Sequence, residues 1–359
     1  MNTVNQEILK TKQHFTVLDG LRGIAALGVV TYHFMEMVHT DFTKNIIGHG
    51  FLAVDFFFCL SGFVIGYAYD DRMKKMGTIE FFKSRIIRLH PLVLLGSILG
   101  LLAFLFDPFG GHPAIFSLGK IILLFLSSAF LIPFPIIEER AFNLFGLNAP
   151  SWSLFWEYVA NIFYAFILFR LGKKYLIVLA VVAGFILPMV AYNSGSLMGG
   201  WAGANFWDGG ARIFYSFLAG LLIFRYKLII KNNLGFIGLS VLLSLTFLMP
   251  FFKYNWLAEF LVVLLYFPLL IALGAGTNIS ESFRKPCVFL GNLSYPLYMT
   301  HYAAIWMFSN YYNTHQPQGG ELAAIIIAGM VLLVLLAYLT MIFYDIPVRK
   351  YLSRKRMER

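Results

Sequence analysis

Eleven apolar runs dominate this sequence, at roughly 15–38, 48–70, 84–106, 117–136, 150–171, 174–193, 207–226, 233–252, 255–276, 288–311 and 321–344. About 20 apolar residues wound as a helix match the hydrocarbon core of a bilayer. Inside that layer only helices and closed barrels satisfy their own backbone hydrogen bonds. The runs therefore predict an all-α fold, a polytopic transmembrane helix bundle. Of the 359 residues, 59% are hydrophobic and only 13% charged, with a mean hydropathy of +0.73. A soluble domain carries about 25% charged residues. No long polar stretch interrupts the runs, so no appended soluble domain is expected.

The formal net charge of +10 does not point to nucleic acid, because the basic residues cluster in short connections and in the C-terminal tail. That is the positive-inside pattern. It predicts a cytoplasmic N-terminus (Lys10, Lys12), a cytoplasmic connection at 70–88, and further cytoplasmic connections at Arg170–Lys174, Arg225–Lys231 and Arg284–Lys285. The basic tail follows, with the last helix expected to end at Asp345–Pro347. Connections at 39–47, 107–116, 194–206 and 312–320 hold few basic residues and read as external. Parity then demands that 117–136 and 150–171 do not both cross. The expectation is about ten full crossings plus one partial or re-entrant segment near 117–150, where IPFPIIEER and GLNAPSW gather helix breakers and polar residues. The chain divides into a cytoplasmic segment 1–14, a transmembrane domain 15–345 and a basic cytoplasmic tail 346–359. The polar start and the charged first run predict no removable signal peptide. Cys59 and Cys287 lie in apolar context, which predicts no disulfide framework.

Ionisable residues inside apolar runs are costly in a membrane and mark functional sites. The first run, VLDGLRGIAALGVVTYHFME, carries Asp19, Arg22 and His33. Eleven residues are close to three helical turns, so Arg22 and His33 share a face roughly 16 Å apart. Asp19 is one turn before Arg22 and can hold its guanidinium, and Glu36 stands one turn past His33. Snorkelling of Arg22 and simple packing of His33 are the alternative reading. In KSRIIRLHPL, Arg85 and Arg88 share a face at a cytoplasmic mouth, which suits phosphate oxygens as well as ordinary anchoring. A ligand with an anionic head and a long thin arm could bind these arginines and reach His33, and acetyl-coenzyme A has that shape.

Further candidates lie in later runs. Asp55 in the second run is a carboxylate that needs a partner, whereas Ser61 and Gly62 read as small packing residues. NAPSWSLFWEYVANIFY holds Glu157 among Trp152, Trp156 and Tyr158, where a carboxyl can act as acid or base. Ser151 and Ser153 are helix N-cap candidates, Asn161 can reach Glu157 one turn on, and the two tryptophans read as interfacial anchors. Asp208 and Arg212 form an i,i+4 pair. GNLSYPLYMTHY adds Tyr298 and His301, which either line a substrate path or join helices. No metal-ligand set, P-loop or nucleophile elbow stands out.

LDGLRGIAALGVVTYHF, FFFCLSGFVIGYAY, RIIRLHP, PSWSLFWEY and LGNLSYPLYMTHY, in this order, resemble acyltransferase family 3, the integral-membrane O-acyltransferases that modify surface polysaccharides, Nod factors and some antibiotics. The resemblance spans nearly the whole chain. It places the family's basic-residue-to-histidine motif on Arg22 and His33, its paired arginines on Arg85 and Arg88, and its Ser-Trp-Ser-Leu motif on Ser151, Trp152, Ser153, Leu154 and Glu157. It implies a bacterial cytoplasmic-membrane enzyme, with acetyl-CoA or another acyl-CoA as donor, a carbohydrate or related small-molecule acceptor, membrane lipid around it, and a histidine at the centre of transfer. Larger members carry a C-terminal SGNH domain. None follows here before residue 359, so the stand-alone form is expected. The site expected is His33, Glu157 and Asp19 for chemistry, Arg22, Arg85 and Arg88 for the donor, and Ser151, Trp152, Ser153, Tyr298 and His301 for the acceptor. A transporter of an acyl group or lipid-linked glycan is the competing reading, since ionisable residues also line transport paths.

Overall fold

The structure, a computed structural model, describes residues 14–110 and 113–358. Most of the expected 1–14 segment, including Lys10 and Lys12, lies outside the described residues. Each of the eleven apolar runs forms a helical rod: α1 Thr16–Val38, α2 Ala53–Tyr69, α3 Met73–Phe106, α4 Leu118–Ala129, α5 Ser151–Phe163, α6 Lys173–Ser194, α7 Phe206–Tyr226, α8 Gly235–Phe247, α9 Asn255–Gly276, α10 Glu281–His315 and α11 Gly319–Met357. No strand occurs among the described residues.

Two pairs of rods pack closely side by side. α1 lies along α10, and α2 lies along α7. Glycine permits both approaches: a Cβ on Gly23 would stand 2.5 Å from that of Leu290, and one on Gly62 would run into the Phe217 carbonyl. Such small-residue contacts let membrane helices pack backbone to backbone. The outer rods are the most apolar. α6 and α11 turn residues such as Phe185, Val331, Leu332 and Phe343 outward, as helices facing lipid do. Among the described residues, five helical stretches are long and apolar enough to cross a membrane, those at 50–69, 73–106, 173–194, 255–276 and 319–357. α1, α7 and α10 fall outside that set, and they hold many of the buried polar groups. The chain is a multi-pass membrane protein.

Two expected boundaries need correction. The 70–88 stretch is not a loop. α3 begins at Met73, bends at Gly77 (φ +77°) and continues, because Met73 and Phe81 bury themselves while Lys74, Lys75 and Lys83 stay outside. The last helix does not stop at Asp345–Pro347. A π-helical turn at Met341–Asp345 precedes Pro347, and the helix resumes over Ile346–Met357. Proline removes an N–H and crowds the carbonyl four residues back; a π turn shifts the pairing to i→i+5 and absorbs both effects. The same device precedes Pro268, after the π turn Val262–Tyr266.

Candidate functional site

The α1 stripe faces α10 from end to end. Near its start, Arg22 Nη2 donates to the Gly291 carbonyl (2.6 Å), Nε donates to Ser294 Oγ (3.0 Å), and Asp19 lies 3.3 Å from the guanidinium. Arg85 from α3 reaches Glu157 on α5 at 2.7 Å, and Ser61 of α2 donates to the same carboxylate oxygen at 3.1 Å. Arg22, Arg85, Glu157 and Ser61, with Arg88, Ser153, Ser294 and Tyr298, line a cavity of about 140 Å³. Arg22 and Arg85 thus have carboxylate partners. Arg88 is exposed and, among the described residues, forms no ion pair or hydrogen bond.

Three turns further along α1, His33 Nδ1 meets Glu36 at 2.5 Å. In the tautomer where Nδ1 carries the proton and donates to Glu36, Nε2 keeps its lone pair. The imidazole stacks on His301 (centroids 5.3 Å, planes 25° apart) and meets Tyr302 edge to face at 4.8 Å. His33 lines a second cavity of about 310 Å³, together with Tyr32, Trp152, Trp201, Tyr302 and Trp306. Tyr298 and Val54 line both cavities. The Tyr298 hydroxyl is bonded to Ser153 Oγ at 2.8 Å, so the partition between the cavities is pinned to α5.

The expected residues therefore fall into two groups. Arg22, Arg85, Arg88 and Glu157 line the first cavity, and Asp19 touches it only through Arg22. His33, Trp152 and, through its stacking, His301 gather at the second, with Ser153 and Tyr298 near the partition. Glu157 is not beside His33. Ser151 is buried with its hydroxyl unpaired.

Other expectations are corrected by geometry. Neither Ser151 nor Ser153 caps α5: the N–H groups of residues 151–153 already bond to the carbonyls of Asn148, Ala149 and Pro150, leaving no donor for a side-chain cap. Ser153 instead donates to Pro150 O. Ser61 does more than pack, since it bonds Glu157. Asn161 reaches the Glu157 backbone carbonyl (2.8 Å), not its carboxylate. Trp152 and Trp156 are buried at 8% and 6% exposure and are not interfacial. Arg212 does not pair with Asp208, which accepts from Ser194 (3.0 Å). It grips Asp55 bidentately, at 3.0 and 2.6 Å, because both are fully buried at the α2–α7 contact. Its guanidinium also donates to Gly199 O (2.7 Å) and lies 5.1 Å from the centre of the Trp152 ring.

Sequence reasoning passed over Arg140, Trp201, Tyr302 and Trp306, which all line the His33 cavity. It also missed the fully buried pair His49–Glu259 (3.4 Å), in which Glu259 accepts from the Leu197 N–H at 2.6 Å. A signal for Arg140 was present: it is an arginine in a breaker-rich connection otherwise free of basic residues.

Comparison with known proteins fits this arrangement. The acyltransferase domain family matches residues 15–342. Protein 2 in the picA locus of Rhizobium radiobacter is 32% identical over 191 residues, covering 50% of this chain and 95% of that protein. The O-acetyltransferase OatA of Staphylococcus aureus is 24% identical over 382 aligned positions, covering 96% of this chain and 58% of OatA. The chain thus spans well under two thirds of that relative's length. No solved structure matches significantly. With the family matched over nearly its whole length, this chain belongs to acyltransferase family 3, the membrane acyltransferases carrying this domain.

Proposed function

We propose that the protein transfers an acyl group, most simply acetyl, from acyl-CoA to a hydroxyl of a carbohydrate or related acceptor. The observation that carries this reading is the pair of cavities sharing the Tyr298–Val54 partition, one lined by three arginines and the other by His33, with Arg22 and His33 on one helix roughly 16 Å apart. Arg22, Arg85 and Arg88 take the coenzyme's phosphates, Arg88 as the cation that forms no ion pair among the described residues. The acyl-bearing arm passes Tyr298 towards His33. His33 Nε2 then removes the acceptor's hydroxyl proton as the oxygen attacks the thioester carbonyl, or Nε2 itself takes the acyl group first. In either route the coenzyme leaves as thiolate and recovers a proton. Glu36 fixes the tautomer and offsets the charge that develops on the ring, the part an aspartate plays in hydrolase triads. Glu157 and Asp19 hold Arg85 and Arg22 in position. OatA's printed name, an O-acetyltransferase, supports acetyl as the group moved.

In the same reading the chain crosses a bacterial cytoplasmic membrane ten times, with both ends cytoplasmic and α4 as the partial segment. Twelve residues of α4 rise about 18 Å, short of the roughly 30 Å hydrocarbon layer. α8, with 13 helical residues, completes its crossing together with the non-helical residues on either side of it.

The test is a titration of acetyl-CoA against purified wild type, His33→Ala and the double variant Arg85→Ala/Arg88→Ala, reading thermal shift and free-thiol release. Binding lost with the arginines, and thiol release lost with His33 while binding persists, is the expected result. Wild type that neither binds acetyl-CoA nor releases thiol refutes the donor assignment.

A further inference from the structure

The His33 cavity contains a cation that the transfer chemistry does not use. Arg140 sits in the connection between α4 and α5, is only 7% exposed, and lines the same 310 Å³ cavity as His33. Among the described residues it forms no ion pair. Its one hydrogen bond runs from Nη1 to the Gly146 carbonyl at 2.5 Å. Its guanidinium lies 4.9 Å from the centre of the Trp306 ring and 5.0 Å from that of Phe104. A buried cation without an ion-pairing partner is expensive, and Asp107 and Glu139 attract Arg140 without forming an ion pair with it. Two aromatic faces offset part of that cost, but among the described residues its remaining N–H groups form no hydrogen bond. Trp306, which lines the cavity too, has a buried indole N–H that is likewise without a partner. The other charged groups there are already matched: Arg212 to Asp55, and His33 to Glu36. Glu139 is exposed, lines the cavity and forms no ion pair with Arg140.

Trp152, Trp201 and Trp306 supply aromatic surface in this cavity. Flat aromatic rings pack against the CH face of a pyranose, and a pocket near 300 Å³ is at the small end of ligand sites. We propose that this cavity is the acceptor subsite and that Arg140 selects a sugar carrying an anionic oxygen substituent, a carboxylate or a phosphate, close to the hydroxyl presented to His33. The inference rests on the acyl-transfer reading for its purpose, but binding at the subsite can be measured without transfer.

The experiment uses the full-length protein in detergent with three probes: methyl glucuronide, methyl glucoside 6-phosphate and neutral methyl glucoside. Quenching of tryptophan fluorescence reports binding, since three tryptophans line the cavity. Wild type is expected to bind at least one anionic probe about tenfold or more tightly than the neutral one, the scale of one charge-assisted hydrogen bond. The order of uronate and phosphate identifies which oxyanion is read. Arg140→Gln should bring the ratio to about one. Arg140→Lys, which keeps the charge but not the fork, should retain part of it. His33→Ala should leave the preference intact, so a failure of the catalytic assignment is separable from a failure of this one. Equal binding of charged and neutral probes by wild type overturns the proposal, even if Arg140→Gln fails to fold. So does binding of none of them, or a preference that survives in Arg140→Gln.

Discussion

Asp55→Ala should be among the most damaging single substitutions outside the cavities. Asp55 and Arg212 are both fully buried, and the carboxylate supplies the guanidinium's one ion-pair partner among the described residues and two of its four hydrogen bonds, with Gly199 O and Phe51 O supplying the others. Removing one partner of a buried pair typically costs about 3–5 kcal/mol, because the remaining charge is stranded. Counting instead two charge-assisted hydrogen bonds at about 1.5–3 kcal/mol each gives about 3–6 kcal/mol, which overlaps that range. At about 2 °C per kcal/mol for a chain of this size, the melting temperature should fall by about 6–10 °C. Arg212→Met alone should cost a similar amount by stranding Asp55. The double variant Asp55→Ala/Arg212→Met leaves no unpaired charge, so it should be clearly more stable than the sum of the single losses allows. Monodispersity on size-exclusion chromatography after a heating series in detergent gives the three values. Losses that simply add, or single losses under about 1 kcal/mol, would refute the argument that the pair is held by mutual charge compensation.

Three further outcomes follow from the geometry. Arg88→Ala should weaken acetyl-CoA binding by about 10- to 100-fold with little change in melting temperature, because Arg88 forms no ion pair or hydrogen bond among the described residues; isothermal titration beside a thermal melt checks this. Arg85→Ala should lower both, since it also strands Glu157. Glu36→Gln should slow thiol release by at least about 100-fold while leaving the coenzyme's affinity within about twofold, read from rate and binding measured on the same preparation. Gly62→Ala should cost about 1–3 kcal/mol through overpacking against the Phe217 carbonyl, and Gly220→Ala should do the same against Cys59, seen as lowered melting temperatures.

What the sequence made legible was whatever a single helix dictates. The eleven-residue interval from Arg22 to His33, the Asp19–Arg22 pair and the Glu36–His33 pair all depend on helical pitch alone, and all are realised in the structure. Partners chosen across helices were not legible. Asp208 lies one turn from Arg212 and looks like its mate, yet Arg212 goes to Asp55, 157 residues away in sequence, because depth in the bundle decides the pairing. The aromatic lining of the His33 cavity was hidden for the same reason. Trp201 comes from the connection before α7 and Trp306 from α10, and no local pattern ties them together. Tryptophan next to a membrane ordinarily suggests an interfacial anchor. Only packing shows that Trp152 and Trp156 turn inward. The proline at 347 misled for a different reason: a π turn is invisible in residue types but rescues the helix.

The partition at Tyr298 and Val54 bears on the cell as much as on the reaction. Under the function proposed above, an acyl unit passes from a coenzyme at one cavity to an acceptor at the other, and the protein has to allow this without becoming a wire for protons or a leak for ions. Tyr298 and Val54 line both cavities, and Tyr298 is bonded to Ser153. In that proposal these side chains would keep the two spaces apart between turnovers, and an opening would have only to be as wide as a thioester arm. Such an airlock would let the coenzyme on one side be spent on work at the other while the membrane stays energised.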